Sequence, residues 1–350
     1  MISPPEPVDD KLNLPTMAPR VDTFQHFCAP TDDYISPMAL DPELLPFLGG
    51  PDNANMDEIA SSRAIDAALI ASAIELRPPP PMGLLIRDEV VTGESHDAVA
   101  IRIYRREDLP PSAGAFLFIH GGAFVFGNLE SEHDRCVYYA QTTDVIVVSV
   151  DYRLAPEFPY PTGHDDVWTA LQWLVANAQE LGVDPSRICI GGASAGGSLA
   201  AGIVLRCRDE GGPHVAAQLL IYPVLDDRGT SLSMATYEVY DPWDGERSRK
   251  MWPLYLGHDG DAPVYAAPAR ANDLRGLPPT FIMSCEEDPL RDEELAFGQR
   301  LLHAGVSVEM HHYRGTYHAF DVIAPETAVS RRALSEQALF LQREVGTPSV

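Results

Sequence analysis

Ser194 is the residue of this chain best placed to act as a nucleophile. It is the centre of Gly191-Gly192-Ala193-Ser194-Ala195-Gly196-Gly197, a G-x-S-x-G run. The apolar stretch 187–190 precedes the run, and small residues in a helical pattern follow it from about 195 to 208. That strand–turn–helix order is the setting in which a serine is lifted clear of a sheet as a nucleophile elbow. So tight a turn excludes bulk two positions before and two after the serine, and Gly192 and Gly196 stand there. The helix that follows would aim its N-terminus at developing negative charge. A glycine-rich turn that only caps a helix is the alternative, and the strand ahead of the turn favours the elbow.

Acyl transfer also needs backbone N–H groups that converge on an oxyanion. His120-Gly121-Gly122-Ala123 follows the apolar stretch 115–119 (AFLFI), well ahead of Ser194. Its glycines let the loop turn its amides toward one centre without side-chain obstruction. His120 is expected to brace this loop rather than transfer protons, because the amides must be held still.

A serine hydroxyl needs a base, and the base needs a carboxylate to hold its tautomer. In this chain order the acid follows the serine and the histidine comes last. Of eleven histidines, His26, His96, His120, His133 and His164 precede Ser194, and His214 and His258 fall before any suitable acid. His303 lies in a helical pattern, and His311 and His312 in a strand pattern. His318 remains, in Gly315-Thr316-Tyr317-His318-Ala319-Phe320, just after the final strand. For the acid, Asp288 follows the apolar stretch 280–285, and Pro289 helps turn the chain there. Glu287 is its nearest rival, and Asp226 and Asp227 are weaker ones. Asp292 suits the first turn of the next helix, where an acid complements the dipole.

These residues must be carried by strands and helices, and the pattern supplies them. Residues 55–76 read as a helix, ended by Pro78-Pro79-Pro80-Pro81. Strands are predicted at 84–91, 99–104, 115–119, 145–150, 187–190, 218–222, 280–285 and 306–313. Helices are predicted at 165–178, 195–208, 290–303 and 326–344. The run 145–150 (VIVVSV) is continuously apolar, as in a strand buried on both faces. Strands alternating with helices imply an α/β fold, a mostly parallel sheet with helices on both sides. Residues 1–75 read as an N-terminal accessory segment. Residues 226–272, polar and bearing Trp, Tyr, Asp and Pro, read as an insertion at the C-terminal edge of the sheet, where α/β folds bind ligands.

Composition narrows the partners. The formal net charge is −26, and only two lysines occur, Lys11 and Lys250. Nucleic acid is excluded as a partner, since phosphate contacts need clustered Lys and Arg, and so is docking on an anionic membrane. An acidic exterior should also disfavour anionic substrates at encounter. No stretch approaches the length of apolar membrane span, and the first twenty residues lack an apolar signal core. Cys28, Cys136, Cys189, Cys207 and Cys285 are scattered and form no C-x-x-C, which argues against a disulfide framework and a cysteine zinc site. Cys189 and Cys285 are expected to be buried. The expected location is cytoplasmic.

Taken together, HGGAFVFG at 120–127, DYRLAPEFPYP at 151–161, GGASAGG at 191–197, DPLRDE at 288–293 and HAF at 318–320 resemble the hormone-sensitive-lipase-like carboxylesterases of the α/β-hydrolase superfamily. The resemblance spans roughly residues 75–345. It implies the α/β-hydrolase fold over 76–225 and 273–350, with a helical cap built from 1–75 and 226–272. It carries the family's triad onto Ser194, Asp288 and His318, and its oxyanion donors onto the amides of Gly121, Gly122 and Ala195. It implies no metal and no cofactor. It also makes a homodimer plausible through the strand at 306–313, a candidate sheet edge. Two positions depart from the family: Ala123 replaces a third glycine, and Ala193 stands before the serine where an acid or Thr is common. The expected activity is hydrolysis of short-chain or compact neutral esters through an acyl-enzyme, because a cap limits the pocket. Alternatives are a lactonase or deacetylase with the same triad, and a non-catalytic small-molecule binding protein.

Overall fold

The structure is a computed structural model that describes residues 40–49, 54–93, 98–237 and 242–347. They all belong to one compact unit, Met38–Val350. Residues 1–39 and 50–53 of the predicted N-terminal accessory segment therefore lie outside the described residues, and its last part lies within them.

That part is helix α1 (Ile59–Leu76), which stops at Arg77 before the prolines. Strands β1 (Leu84–Thr92), β2 (Ala98–Arg106), β3 (Ala113–Ile119), β4 (Val145–Asp151), β5 (Val183–Ala193), β6 (Ala217–Ile221), β7 (Thr280–Glu287) and β8 (Val308–Tyr317) form one sheet. Their order is β1-β2-β4-β3-β5-β6-β7-β8. The β1–β2 and β2–β4 pairs are antiparallel and every other pair is parallel. β8 ends the sheet, at the edge the sequence pattern singled out.

Helices cross between the strands: α2 (His133–Thr142), α3 (Thr162–Ala176), the single turn α4 (Ala178–Leu181) and α5 (Ala195–Glu210). The insertion after β6 carries α6 (Leu232–Thr236) and α7 (Gly245–Leu256). Next come α8 (Arg291–His303), the turn α9 (Phe320–Ile323) and α10 (Ala328–Glu344). β3 shows why the sheet takes helices on both faces. Ala115, Leu117 and Ile119 enter one apolar cluster, while Phe116 and Phe118 enter the other. Side chains alternate along a strand, so a continuously apolar strand must be covered twice.

α2, like α7 of the insertion, is a sizeable helix that the hydrophobic pattern does not announce. Its buried face includes His133 and Arg135 beside Cys136, Tyr139 and Ala140, so it reads as polar. Cys136, Cys189, Cys207 and Cys285 are free and buried. No helix among the described residues is long and apolar enough to cross a membrane.

Candidate active site

Parallel pairing brings the ends of β3, β5, β7 and β8 to one edge of the sheet. Ser194 follows β5 directly, Asp288 follows β7, His318 follows β8, and the 120–127 loop follows β3. This is the C-terminal edge of the strands, where open α/β sheets gather functional groups.

Ser194 sits at φ 54° and ψ −117°, a conformation that L-residues rarely adopt. The elbow is held by the Ser194 N–H, which donates to Ile221 O at 2.8 Å, and by Ser194 O, which accepts from Val224 at 3.1 Å. Space explains the flanking glycines. A Cβ on Gly192 would lie 2.3 Å from Ile119 O, and one on Gly196 would lie 2.1 Å from the same oxygen. That oxygen cannot yield, because it is backbone. Gly196→Ala is therefore expected to cost at least about 1–3 kcal/mol as overpacking, read as a lowered midpoint in urea unfolding together with lost activity.

The three side chains singled out by chain order meet. The Ser194 hydroxyl donates to His318 Nε2 at 2.9 Å, and His318 Nδ1–H donates to Asp288 Oδ2 at 2.7 Å. Asp288 is fully buried, and its other oxygen accepts the Leu290 N–H at 2.9 Å. Behind Asp288 stands buried Glu294. Burial, and then the charge of Asp288, push the Glu294 carboxyl well above the usual range. The rival carboxylates are engaged elsewhere. Asp226 grips Arg228, Asp227 grips Arg270, and Asp292 accepts the Ser233 N–H. Glu287 is the last residue of β7, paired with Tyr317.

His120 is enclosed and stacked on Tyr152, with ring centroids 4.3 Å apart. Burial lowers its pKa to about 4, so the ring is neutral, and its Nδ1–H donates to Gly121 O at 2.7 Å. It braces the loop. Beyond it the chain turns through left-handed backbone at Gly122 (φ 116°), Ala123 (φ 54°) and Phe124 (φ 63°). Ala123, which departs from the family's glycine, thus carries a Cβ into a conformation that glycine adopts freely. Phe124 stacks on Tyr255 of α7 at 3.7 Å.

A cavity of about 300 Å³ opens over Ser194 and His318. Its floor includes Gly121, Gly122, Ala123 and Ala193. Its walls take Asp66 and Ile70 from α1, Trp243 from the insertion, and Val322 and Ile323 from α9. α1 is fastened over the site by Arg63. That side chain donates to Val125 O at 2.8 Å and Ala155 O at 2.7 Å, and pairs with Glu157. The turn just before α1 also meets the insertion, through Asp57 and Lys250 of α7, 2.5 Å apart. Sequence reasoning missed Tyr222, whose ring packs edge-on against His318 with centroids 4.8 Å apart, and the wall residues Asp66 and Trp243. No spacing signal marks them, since each arrives from a separate element. Among the described residues no group of three or more His, Cys, Asp or Glu side chains is arranged to hold a metal ion.

An eight-stranded sheet with a serine elbow after β5 and a histidine after the last strand defines an α/β hydrolase. Residues 116–322 match the alpha/beta hydrolase fold family, and the chain belongs to it. More particularly, it is a member of the hormone-sensitive-lipase-like carboxylesterases. Over 247 residues it is 39% identical to Esterase LipI of Mycobacterium tuberculosis, covering 67% of this chain and 76% of that one. It is 36% identical over 267 residues to Carboxylesterase NlhH of the same species, covering 73% of this chain and 82% of that one. Among solved structures it superposes on a bacterial heroin esterase with a TM-score of 0.83 at 40% identity, covering 88% of this chain and 99% of that one. An esterase of Pyrobaculum calidifontis gives a TM-score of 0.80 at 31% identity, with 87% and 98% covered.

Proposed function

We propose that this esterase hydrolyses compact, neutral carboxylic esters through an acyl-enzyme on Ser194. The observation that carries the reading is the unbroken chain of hydrogen bonds from Ser194 Oγ through His318 to Asp288, opening into a cavity. Ser194 Oγ attacks the ester carbonyl carbon while His318 Nε2 takes its proton. The carbonyl electron pair moves onto oxygen. Asp288 holds the imidazole in the required tautomer and balances the imidazolium. Collapse of the tetrahedral adduct breaks the bond to the alkoxide, which leaves with the proton from His318. Water, deprotonated by the same nitrogen, then attacks the acyl carbon and frees Ser194.

The amides of Gly122 and Ala195, with Gly121, are the oxyanion donors in this reading. The end of the N-terminal segment and the 226–272 insertion act as the cap. A cavity of about 300 Å³ suits a small acyl group and a compact alcohol. Its lining includes Asp66 and Glu132 and, among the described residues, no Lys or Arg, which favours neutral esters over anionic ones.

A fluorophosphonate probe followed by peptide mass spectrometry tests the nucleophile, with the adduct expected on Ser194 alone. An adduct at another residue, or none, overturns the reading. Labelling of Ser194 without turnover of any ester in a panel from acetate to octanoate would instead indicate a binding protein.

A further inference from the structure

A buried ion cluster lies beneath the site, outside every motif the sequence offered. Arg135 of α2 is enclosed, and its guanidinium has four partners. It donates to Glu132 Oε2 at 2.5 Å, Asp321 Oδ2 at 2.9 Å, Gln337 Oε1 at 3.0 Å and the Tyr222 hydroxyl at 3.2 Å. The Tyr222 hydroxyl donates onward to Asp321 Oδ1 at 2.9 Å. Tyr139 donates to the same Gln337 oxygen.

Three of these partners lead to different parts of the catalytic apparatus. Glu132 lines the cavity with Ser194 and with Gly121 of the oxyanion loop. Asp321 lies in α9, three residues beyond His318. Tyr222 follows β6, whose last residue, Ile221, accepts the Ser194 N–H, and its ring packs against His318. One guanidinium thus ties together the loop, the histidine turn and the strand beside the nucleophile.

Stability alone does not account for such an arrangement. Buried ion clusters can often be replaced by apolar side chains without loss of stability. What the planar fork supplies is direction, since it fixes several acceptors at set angles at once. It also supplies charge. Without the guanidinium, the Glu132 carboxylate would stand uncompensated in the wall of a cavity where an oxyanion has to form.

We propose that Arg135 is a positioning residue: through Glu132, Asp321 and Tyr222 it sets the oxyanion loop against His318 and Ser194 in the geometry that the transition state needs. The inference rests on the roles given above to Ser194, His318 and the loop amides. Turnover of 4-nitrophenyl acetate by the unaltered enzyme checks those roles separately.

The variants are Glu132→Gln, which keeps the shape of the side chain, Arg135→Lys, which keeps the charge without the fork, and Arg135→Met. Active sites are counted with a fluorophosphonate, so that kcat refers to folded enzyme only. Arg135→Met is expected to lose about 10-fold to 100-fold in kcat with KM changed less than about threefold. Arg135→Lys is expected to recover part of that loss. Affinity for a trifluoromethyl ketone, which binds as a tetrahedral adduct, should weaken in step with kcat/KM. A residue that only stabilises the fold would lower the melting temperature and the count of sites, and leave both of those readouts alone. If Arg135→Met does not fold, Glu132→Gln and Arg135→Lys carry the result. Values of kcat per site and ketone affinity within twofold of the unaltered enzyme in both would overturn the proposal.

Discussion

Ser194→Ala is expected to lower kcat for a 4-nitrophenyl ester by about 10,000-fold to a million-fold while the protein stays folded. The side chain loses one oxygen, whose hydrogen bond is to His318 Nε2. The backbone bonds that shape the elbow, to Ile221 and from Val224, do not involve the hydroxyl. Alanine tolerates φ 54° about as poorly as serine does, so the strain of the turn is unchanged. What disappears is the covalent route. The residual rate would come from water attacking a carbonyl still polarised by the loop amides, a background that typically survives removal of triad members. Initial rates, with circular dichroism to confirm the fold, check this result. More than about 1% residual kcat would mean that another residue is the nucleophile.

Asp288→Asn is expected to lower kcat by about 10,000-fold, although the two side chains have nearly the same shape. The reason is the hydrogen-bond arrangement. Oδ1 of Asp288 accepts the Leu290 N–H, and Oδ2 accepts from His318 Nδ1. An asparagine keeps its single carbonyl oxygen for Leu290 and must turn its NH₂ toward His318. The imidazole then presents Nδ1 as an acceptor and carries its proton on Nε2. In that tautomer it cannot take a proton from Ser194. Glu287→Gln, the matching change at the rival named by position, should leave the tautomer alone. Steady-state rates of both variants on one ester separate the two carboxylates, and a loss confined to the Glu287 variant would reverse the assignment of the acid.

The elbow was legible because its requirements are local. A strand, a turn without room for Cβ atoms and a small-residue helix all fall within one stretch of chain. The predicted helix at 195–208 is α5 (Ala195–Glu210), and the predicted strand at 187–190 is the core of β5. The acid was less legible. Glu286, Glu287 and Asp288 are consecutive, and only the turn after β7 decides which of them faces His318. α2 was not legible, because its buried face carries His133 and Arg135.

The sequence by itself determined the strands and the elbow, since each follows from periodicity and from residue types within short windows. Tertiary structure decided which carboxylate reaches His318 and which side chains wall the cavity. It also brought Glu132, Arg135, Tyr222 and Asp321 into one cluster. Those residues come from α2, the end of β6 and α9, so no window of sequence holds them together. Their charge is tolerated only because folding encloses them with each other: a buried cation needs its carboxylates in place, and only the packed sheet and helices supply them at that distance.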